Sequence, residues 1–232
     1  MANFESIYNE LDIGKARSQL ADLGWVSLGQ MDPDSGVVEM RSEIDRLALD
    51  DDTEVNYGGS EHRIWKAHTK SEQMESFRTF SDQVLSEVEA QPFEAYDILA
   101  IRNRPIDLED DGVTRGRWHL DSFNRQLKIF MFLTDVNDES GPFEMLPETH
   151  KMPFKVKEAI KGNFLSISDF MGKARTYSKL DEQVVRKIVD GGVASKAFTV
   201  PAGTICLVDT SCVHRARPCE QGVRYALTSY YR

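Results

Sequence analysis

The stretch QLKIFMFLTDV, residues 126–136, constrains the fold most strongly, because it is apolar at consecutive positions with little polar interruption. Successive side chains of a β-strand point to opposite faces, so a strand that is apolar throughout is covered on both faces. We therefore expect a central strand in a sheet that has a packed layer on each side. The chain has 232 residues and is 41% hydrophobic, which is enough apolar material to form such layers.

The order of the other elements indicates the fold class. Residues 1–92 show mainly helical periodicity, and short strands separated by turns follow from residue 95. A helical insertion is expected near residues 155–190, before two final strands, TICLVDTSCVH and VRYALTSYYR. This order favours a mainly β fold with supporting helices, a jelly roll. Since no repeat or long linker interrupts the chain, we expect one domain over residues 1–232, with its jelly-roll core at 95–232.

Local signals predict several element ends. Gly24 is expected to stop a helix that begins near Phe4, and Thr-x-x-Glu at residues 69–72 predicts a capping box for a later, longer helix. Pro92 is expected to end that longer helix. The last two strands are expected to pair as a hairpin across the turn RARPCEQG.

Composition argues against several classes of function. The formal net charge is −10, which disfavours nucleic acid and anionic membranes as partners. No signal-peptide pattern opens the chain, and no apolar run approaches the roughly 18 residues of a membrane-spanning helix. The odd number of cysteines favours a reducing, cytoplasmic setting over a disulfide framework. Cys206, Cys212 and Cys219 with His214 form the alternative of a zinc site, but their spacing lacks tight cysteine pairs, so core packing is favoured.

A candidate metal site begins in GRWHLDSFNRQ, where His119 and Asp121 lie two residues apart. Side chains at this spacing on a strand share a face, so an imidazole and a carboxylate point to one place. His214, at the end of the penultimate strand, is the best-placed third ligand, whereas His150 in PETHK is expected to stabilise a turn. Two histidines and one carboxylate form the facial triad of non-haem Fe(II) oxygenases. The alternative for His119 and Asp121 alone is a surface pair.

Arg224 follows His214 by ten residues, at the start of the last strand. If the two final strands form a hairpin, this side chain points into the barrel near the metal. A buried guanidinium is costly unless it binds an anion, and its forked donors match a carboxylate. Arg224 is therefore predicted to hold the far end of a dicarboxylate such as 2-oxoglutarate.

Two stretches, residues 116–151 and 201–229, resemble the phytanoyl-CoA dioxygenase (PhyH-like) family of Fe(II)/2-oxoglutarate-dependent oxygenases. The matching motifs are WHLD, SGPFEMLPETHK and PAGTICLVDTSCVH, followed by an arginine ten residues after the distal histidine. LADLGWVSL near the N-terminus is also similar to the family. One departure is PETH, where the family usually has Pro-Gly-Ser-His.

The resemblance implies a double-stranded β-helix, which is a cupin-like jelly roll. It implies Fe(II) held by His119, Asp121 and His214, with 2-oxoglutarate and O2 as cosubstrates and a salt bridge from Arg224 to the C5 carboxylate. Lys128 and Lys66 lie near positions at which relatives contact the cosubstrate, and both are expected to bind it.

The implied activity is that of a dioxygenase that hydroxylates a C–H bond and releases succinate and CO2. Related halogenases lack the carboxylate ligand, so the presence of Asp121 favours hydroxylation, while desaturation, epimerisation and cyclisation stay open. A non-oxidative cupin-like metal-binding protein and a Zn2+ or Mn2+ isomerase or hydrolase are the alternatives from other classes. A simple metal-binding protein has no need of the anchor that Arg224 supplies.

Basic residues crowd the segments expected at the barrel mouth, despite the negative net charge. They predict a small anionic substrate bearing a carboxylate or a phosphate, with contacts from Arg63, His68, Arg104 and Arg117. A monomer or a homodimer is expected. The full set of basic residues is Arg63, Lys66, Arg102, Arg104, Arg115, Arg117 and Arg125.

Overall fold

A computed structural model describes residues 4–105, 116–162, 164–171 and 180–231 of the chain. Arg115 lies outside these residues. The strands are β1 Trp25–Gln30, β2 Glu54–Asn56, β3 Glu61–Ile64, β4 Asp97–Asn103, β5 Leu127–Phe132, β6 Phe143–Met145, β7 Lys196–Ala197, β8 Thr204–Asp209, β9 His214–Ala216 and β10 Arg224–Tyr230. The α-helices are α1 Glu5–Glu10, α2 Ile13–Leu23, α3 Val38–Leu47, α4 Glu72–Glu89, α5 Met152–Lys161 and α6 Glu182–Asp190. None of the helices in the described part of the chain is both long enough and apolar enough to cross a membrane.

The strands form two antiparallel sheets that face each other. The larger has seven strands in the order β1-β8-β5-β10-β4-β3-β2, and the smaller has three in the order β7-β6-β9. Strand β5 lies between β8 and β10 and is buried almost throughout. The prediction of a central strand covered on both faces is therefore confirmed, as is the mainly β, jelly-roll fold class.

One face of the large sheet is covered by the N-terminal helices. Leu127, Ile129 and Met131 of β5 belong to the same buried cluster as residues of α2, α3 and α4. Helix α4 buries Phe77 completely, together with other apolar residues at helical spacing. Fully burying a large apolar side chain stabilises a fold by about 1.5–3 kcal/mol, so this helical layer holds the sheet from outside.

The other face of β5 points between the sheets. Phe130 and Phe132 pack there against Phe143 of the small sheet, and the Phe130 and Phe143 rings lie 5.0 Å apart. The Phe143 ring is in turn 5.3 Å from the ring of His214. Aromatic packing between the sheets thus reaches the predicted distal metal ligand.

A third cluster lies around Trp118 and Leu120, on the side of the predicted metal ligands that faces away from the large sheet. Both residues are buried against Val185 and Ile188 of α6. The expected helical insertion thus contributes α5 and α6, although α5 begins at Met152, before residue 155. It packs behind the segment that carries His119 and Asp121.

Two helix predictions had different outcomes. Gly24 has a positive φ of 78° and is the C-cap of α2, as predicted. The predicted first helix is, however, two helices, because Asp12 is the N-cap of α2 and separates it from α1. The capping-box prediction at residues 69–72 is wrong, because Ser71 is the N-cap of α4. The Thr69 hydroxyl instead donates to the carbonyl oxygen of Lys66. The threonine hydroxyl thus forms a hydrogen bond within the preceding turn instead of capping α4.

Two strand predictions need correction. The prediction of a hairpin between the last two strands is wrong, because β9 pairs with β6 in the small sheet whereas β10 pairs with β4 and β5 in the large one. TICLVDTSCVH is not one strand, since the chain turns between β8 and β9 and changes sheets. Strands β2 and β3 lie within the part expected to be mainly helical. Both strands are short and lie at one edge of the large sheet, where pairing between β3 and the distant strand β4 stabilises them.

The Gly-Pro turn of SGPFEMLP has a steric explanation. Gly141 has a positive φ of 73°, and a Cβ atom there would lie 2.5 Å from the carbonyl oxygen of Arg217. Only glycine combines that backbone conformation with such a close approach. The turn therefore brings β6 against the chain that follows β9.

Glu144 connects β6 and β9 electrostatically. Its carboxylate accepts hydrogen bonds from Arg215 Nε at 2.8 Å and from Arg217 Nε and Nη2 at 2.9 Å each. Burial alone would raise the pKa of Glu144, but the bonds from Arg217 and Arg215 outweigh it and lower the pKa to about 2. A depressed folded-state pKa means that the carboxylate stabilises the fold above its ordinary pKa and loses that contribution as the pH falls towards about 2.

We predict that Glu144→Gln lowers the free energy of unfolding by about 2 kcal/mol at neutral pH, because two guanidinium groups lose their shared carboxylate. The difference from wild type should narrow as the pH falls below about 4.5, the ordinary pKa of the side chain. Urea unfolding between pH 7 and pH 3 measures this. Glu182→Gln is the control, since its exposed carboxylate lies 3.4 Å from Arg215 Nη1 and should contribute less than about 0.5 kcal/mol. If Glu144→Gln lowered the free energy of unfolding by the same amount at every pH, the electrostatic explanation would be contradicted.

Candidate metal centre

Backbone pairing brings the first and last predicted ligands together. The amide N–H of His119 donates to the carbonyl oxygen of His214 at 2.8 Å, and the reverse bond is 2.9 Å. The two residues therefore form a bridge of the antiparallel type, which extends the small sheet beyond β9. The amide of Asp121 donates to the carbonyl oxygen of Thr210 at 3.2 Å and holds the next turn of the segment in place.

The three predicted ligands converge. One potential ligand atom each from His119, Asp121 and His214 lies within 4.8 Å of the others. His119 Nε2 is 3.7 Å from Asp121 Oδ1, and His214 Nε2 is 3.7 Å from Asp121 Oδ2. His214 is buried, whereas the side chains of His119 and Asp121 are 32% and 21% exposed. The cluster is thus open on one side, as a metal site with free coordination positions requires.

Both imidazoles have the same orientation. Nδ1 of His119 lies 2.9 Å from the carbonyl oxygen of Arg117, and Nδ1 of His214 lies 2.9 Å from that of Cys212. A carbonyl oxygen only accepts, so each Nδ1 carries a proton, and in the neutral ring Nε2 then keeps its lone pair. Such hydrogen bonds from the remote ring nitrogen are characteristic of metal-binding histidines. Both Nε2 atoms face Asp121.

The electrostatics favour a neutral His214 imidazole beside an ionised Asp121 carboxylate. Burial and the neighbouring His119 lower the pKa of His214 to about 4, although the charge of Asp121 acts in the opposite direction. Burial alone would raise the pKa of Asp121, but His214 and Lys128 outweigh it and hold that pKa well below its usual range. His214 and Asp121 therefore have the protonation states that bind a divalent cation.

Lys128 lies at this cluster, in agreement with its expected position at the site. Its Nζ atom is 2.6 Å from Asp121 Oδ2 and 4.3 Å from the centre of the Tyr230 ring. The side chain is buried, and although burial alone would lower its pKa, Tyr230 and Asp121 raise it. Among the described residues Lys128 thus contacts a ligand carboxylate and Tyr230, and its predicted contact with a cosubstrate stays a prediction.

Arg224 occupies the interior of the fold. Tyr230, opposite Lys128 in the sheet register, and Ala226, opposite Phe132, share one face of β10 with Arg224 because strand side chains alternate. Arg224 is buried. It therefore lies between the two sheets, on the same face of β10 as Tyr230 and six residues earlier along the strand, although the hairpin argument that first placed it there is wrong.

Other predicted site residues lie elsewhere. Lys66 is exposed at a left-handed turn, and its backbone amide donates to Asp97 at 2.7 Å. His68 lines a surface depression with Glu75 and Arg78, away from the three ligands. The prediction that Lys66 binds the cosubstrate and His68 the substrate gains no support from these positions.

Arg104 and Arg117 have different surroundings. Arg104 lies on the helix side of the large sheet, near Asp45. Burial alone would raise the pKa of Asp45, but the charges of Arg102 and Arg104 help to lower it. Its predicted substrate contact therefore gains no support. Arg117 is exposed and precedes His119 by two residues, so it remains next to the cluster.

Acidic partners neutralise much of the predicted basic mouth. Arg63 Nε lies 2.7 Å from Glu61 Oε1. Arg102 Nη1 lies 2.7 Å from Asp45 Oδ1. Arg125 Nη2 donates to Glu89 Oε1 at 2.8 Å. The inference of an anionic substrate from these arginines is weakened accordingly.

Aromatic side chains at the mouth were not identified as site residues from the sequence. Tyr230 contacts Lys128, and its ring centre lies 5.6 Å from that of Trp65. The indole N–H of Trp65 donates to Glu54 Oε2 at 2.7 Å. The signal for Tyr230 was present in the sequence, since period-two alternation from Arg224 places it on the same face.

The cysteines and His150 have structural roles. All three cysteines are buried, and in the described residues the only cluster with metal-site geometry is the histidine–aspartate one. His150 Nε2 lies 3.1 Å from the carbonyl oxygen of Ala21, and its Nδ1 lies 3.4 Å from Cys212 Sγ. These contacts anchor the PETH turn to α2 and to the segment between β8 and β9, so His150 stabilises a turn as expected.

The sequence matches no protein-family model and no curated protein at a significant level. Solved structures are similar, however. The non-heme alpha ketoglutarate dependent carbocyclase SnoK from nogalamycin biosynthesis has a TM-score of 0.70 and 17% identity, with 96% of this chain and 84% of SnoK covered.

Two further solved structures are also similar to this chain. A Pseudomonas putida prolyl-4-hydroxylase has a TM-score of 0.60 and 13% identity, covering 95% of this chain and 98% of that one. HygX from Streptomyces hygroscopicus, with nickel, 2-oxoglutarate and hygromycin B bound, has a TM-score of 0.61 and 17% identity, covering 94% and 86%. At these identities the similarity establishes the fold, and the more specific resemblance to the phytanoyl-CoA dioxygenase family stays a prediction. This chain has the jelly-roll fold of 2-oxoglutarate-dependent enzymes.

In the metal-free protein, we predict that the His214 ring stays neutral, with its proton on Nδ1, down to about pH 5, because burial lowers its pKa to about 4. Nitrogen-15 NMR of the histidine rings measures both the tautomer and the titration midpoint. Asp121→Asn should lower the midpoint further, since the carboxylate charge favours the protonated ring. A His214 midpoint near the ordinary value of 6.5 would contradict the described environment.

Proposed function

We propose that this protein is a non-haem Fe(II)/2-oxoglutarate-dependent oxygenase acting on a small organic molecule. The observation that carries the proposal is the convergence of His119, Asp121 and His214 within 4.8 Å, on a fold shared with 2-oxoglutarate-dependent enzymes. Bound Fe(II) supplies the oxidising chemistry, in which O2 and 2-oxoglutarate are converted to succinate and CO2 while a substrate C–H bond is oxidised.

The donor set fits Fe(II). Two neutral imidazole nitrogens and one ionised carboxylate oxygen are the ligands of a facial triad, and they leave the opposite positions open. The hydrogen bonds from each Nδ1 to a backbone carbonyl hold both rings with Nε2 towards Asp121. The ligands are therefore oriented before the metal arrives.

Arg224 supports the cosubstrate assignment. Its guanidinium is buried between the sheets, in the row of β10 that ends at Tyr230 beside the ligands. A planar, forked donor of this kind binds a carboxylate through two parallel hydrogen bonds. We assign it the distal carboxylate of 2-oxoglutarate, whose other end would lie at the metal.

Hydroxylation is the outcome that we propose first, because Asp121 fills the ligand position that halogenases leave open. Structures of similar fold include the carbocyclase SnoK and the epimerase SnoN, so cyclisation and epimerisation are the second candidates. An anionic substrate group would meet the exposed Arg117, two residues before His119. The other arginines form ion pairs within the protein, so they give no further support for a negatively charged substrate.

The first experiment is an anaerobic titration of metal-free protein with Fe(II) and then 2-oxoglutarate. We expect the weak visible charge-transfer band of Fe(II) chelated by 2-oxoglutarate. His119→Ala should abolish the band, because one of three ligands is lost. Arg224→Ala should require at least about 10-fold more 2-oxoglutarate, the equivalent of about 1.4 kcal/mol, and Arg224→Lys should recover part of the loss.

Arg104→Ala is the matched control, since it removes an exposed arginine from the helix side of the sheet and should leave the titration unchanged. Bound iron without a band in wild type would contradict the oxygenase proposal and favour the metal-binding or isomerase alternatives. With a turned-over substrate, mass spectrometry under labelled O2 distinguishes the outcomes, because only hydroxylation adds an oxygen atom from O2 to the product.

A further inference from the structure

Lys128 is the one buried cation that contacts a ligand of the candidate centre in the described part of the chain. It projects from β5 on the same face as Phe130 and Phe132, which are both aromatic. An isolated ammonium among such neighbours is costly, so its position calls for a specific partner. That partner is Asp121 Oδ2, at 2.6 Å.

This contact makes the two oxygens of Asp121 unequal. Oδ2 accepts a hydrogen bond from the Lys128 ammonium at 2.6 Å and also lies 3.7 Å from His214 Nε2, while Oδ1 lies 3.7 Å from His119 Nε2. The Tyr230 ring, with its centre 4.3 Å from Nζ, packs against the ammonium on a second side. The ammonium therefore competes with a metal for Oδ2, whereas Lys128 does not occupy Oδ1.

We propose that Lys128 is a positioning residue that keeps Asp121 a one-oxygen metal ligand by binding its second carboxylate oxygen. The inference rests on the proposed function and deepens it. Carboxylates bind metals through either one or two oxygens, so the choice needs a cause. The charge-assisted hydrogen bond from Lys128 supplies that cause.

The number of oxygens used matters for the chemistry. In an octahedral site, three one-atom protein ligands leave three positions, which suit a cosubstrate that chelates through two atoms and one O2 molecule. If Asp121 used both oxygens, the chelating cosubstrate would fill the last positions and O2 would have none. Lys128 thus preserves the position at which O2 binds.

The alternative is that Lys128 binds the cosubstrate itself. The two roles make different predictions. A cosubstrate contact predicts that Lys128→Met weakens 2-oxoglutarate binding without changing the ligand set of the metal, whereas the positioning role predicts a change in the metal site before any cosubstrate is added. The present geometry favours positioning, because the ammonium already contacts a ligand carboxylate.

The test loads metal-free protein with Mn(II) and counts the bound waters by pulsed EPR in oxygen-17 water, without cosubstrate. We expect Lys128→Met to bind one water fewer than wild type, since Asp121 gains its second metal bond. Lys128→Arg keeps a charged donor and should restore the wild-type count. Lys155→Met is the matched control, because Lys155 is also buried but its Nζ bonds to Phe123 O at 2.5 Å and Ser211 Oγ at 3.3 Å.

A wild-type water count in Lys128→Met, or an equal loss in Lys155→Met, would overturn the proposal. Failure of wild type to bind Mn(II), or to form the Fe(II)–2-oxoglutarate band, would instead contradict the proposed function. The two failures are thus distinguishable.

A second measurement needs no variant that might fail to fold. Infrared difference spectra of wild type with and without Mn(II) report the carboxylate stretches that change on binding. One-oxygen coordination widens the separation between the antisymmetric and symmetric stretches, and two-oxygen coordination narrows it. We expect the wider separation, and the narrower one would overturn the role of Lys128.

Discussion

The negative charge of one largely buried carboxylate, Asp121, organises the centre of this protein. A carboxylate removed from water destabilises a fold unless positive charge or hydrogen-bond donors compensate it. Lys128 supplies that compensation at 2.6 Å, from a strand of the large sheet, while the His214 imidazole stays neutral. The two sheets must therefore be correctly aligned before the charge is satisfied. The same arrangement leaves two imidazole lone pairs and one carboxylate oxygen facing a common point, which is the donor set that a divalent metal needs.

The scaffold around this charge is built to hold β9 in place. The paired backbone bonds between His119 and His214 fix the spacing of the two imidazole ligands, and the Glu144 carboxylate ties the following residues of β9 to β6 through two arginines. Gly141 allows the backbone to approach closely enough for this contact. The N-terminal helices cover the opposite face of the large sheet and take no direct part in the cluster. The helical layer thus stabilises the large sheet, whereas the small sheet sets the geometry of the two histidines.

The mouth of the site shows that charge in a sequence differs from charge in a structure. The chain has 38 acidic and 28 basic residues, so an arginine near the surface readily finds a carboxylate. Arg63, Arg102 and Arg125 are all paired in this way. What distinguishes the mouth is the aromatic contact of Tyr230 with Trp65 next to the Lys128–Asp121 pair.

Local pattern was sufficient for the central strand, for the jelly-roll class and for the three candidate ligands, because the apolar run of β5, the His-x-Asp spacing and the distal histidine are all readable along the chain. Helix and strand ends were less predictable: the Thr69 hydroxyl bonds to the carbonyl oxygen of Lys66 in a local turn, and α4 begins after Ser71 instead. The sequence by itself determined which residues have the chemistry to bind a metal and which strand is buried on both faces. Only the tertiary structure decided that β9 and β10 belong to different sheets, that Lys128 contacts Asp121, and that several arginines are neutralised. Those outcomes depend on contacts between residues far apart in the chain, for which local periodicity carries no information.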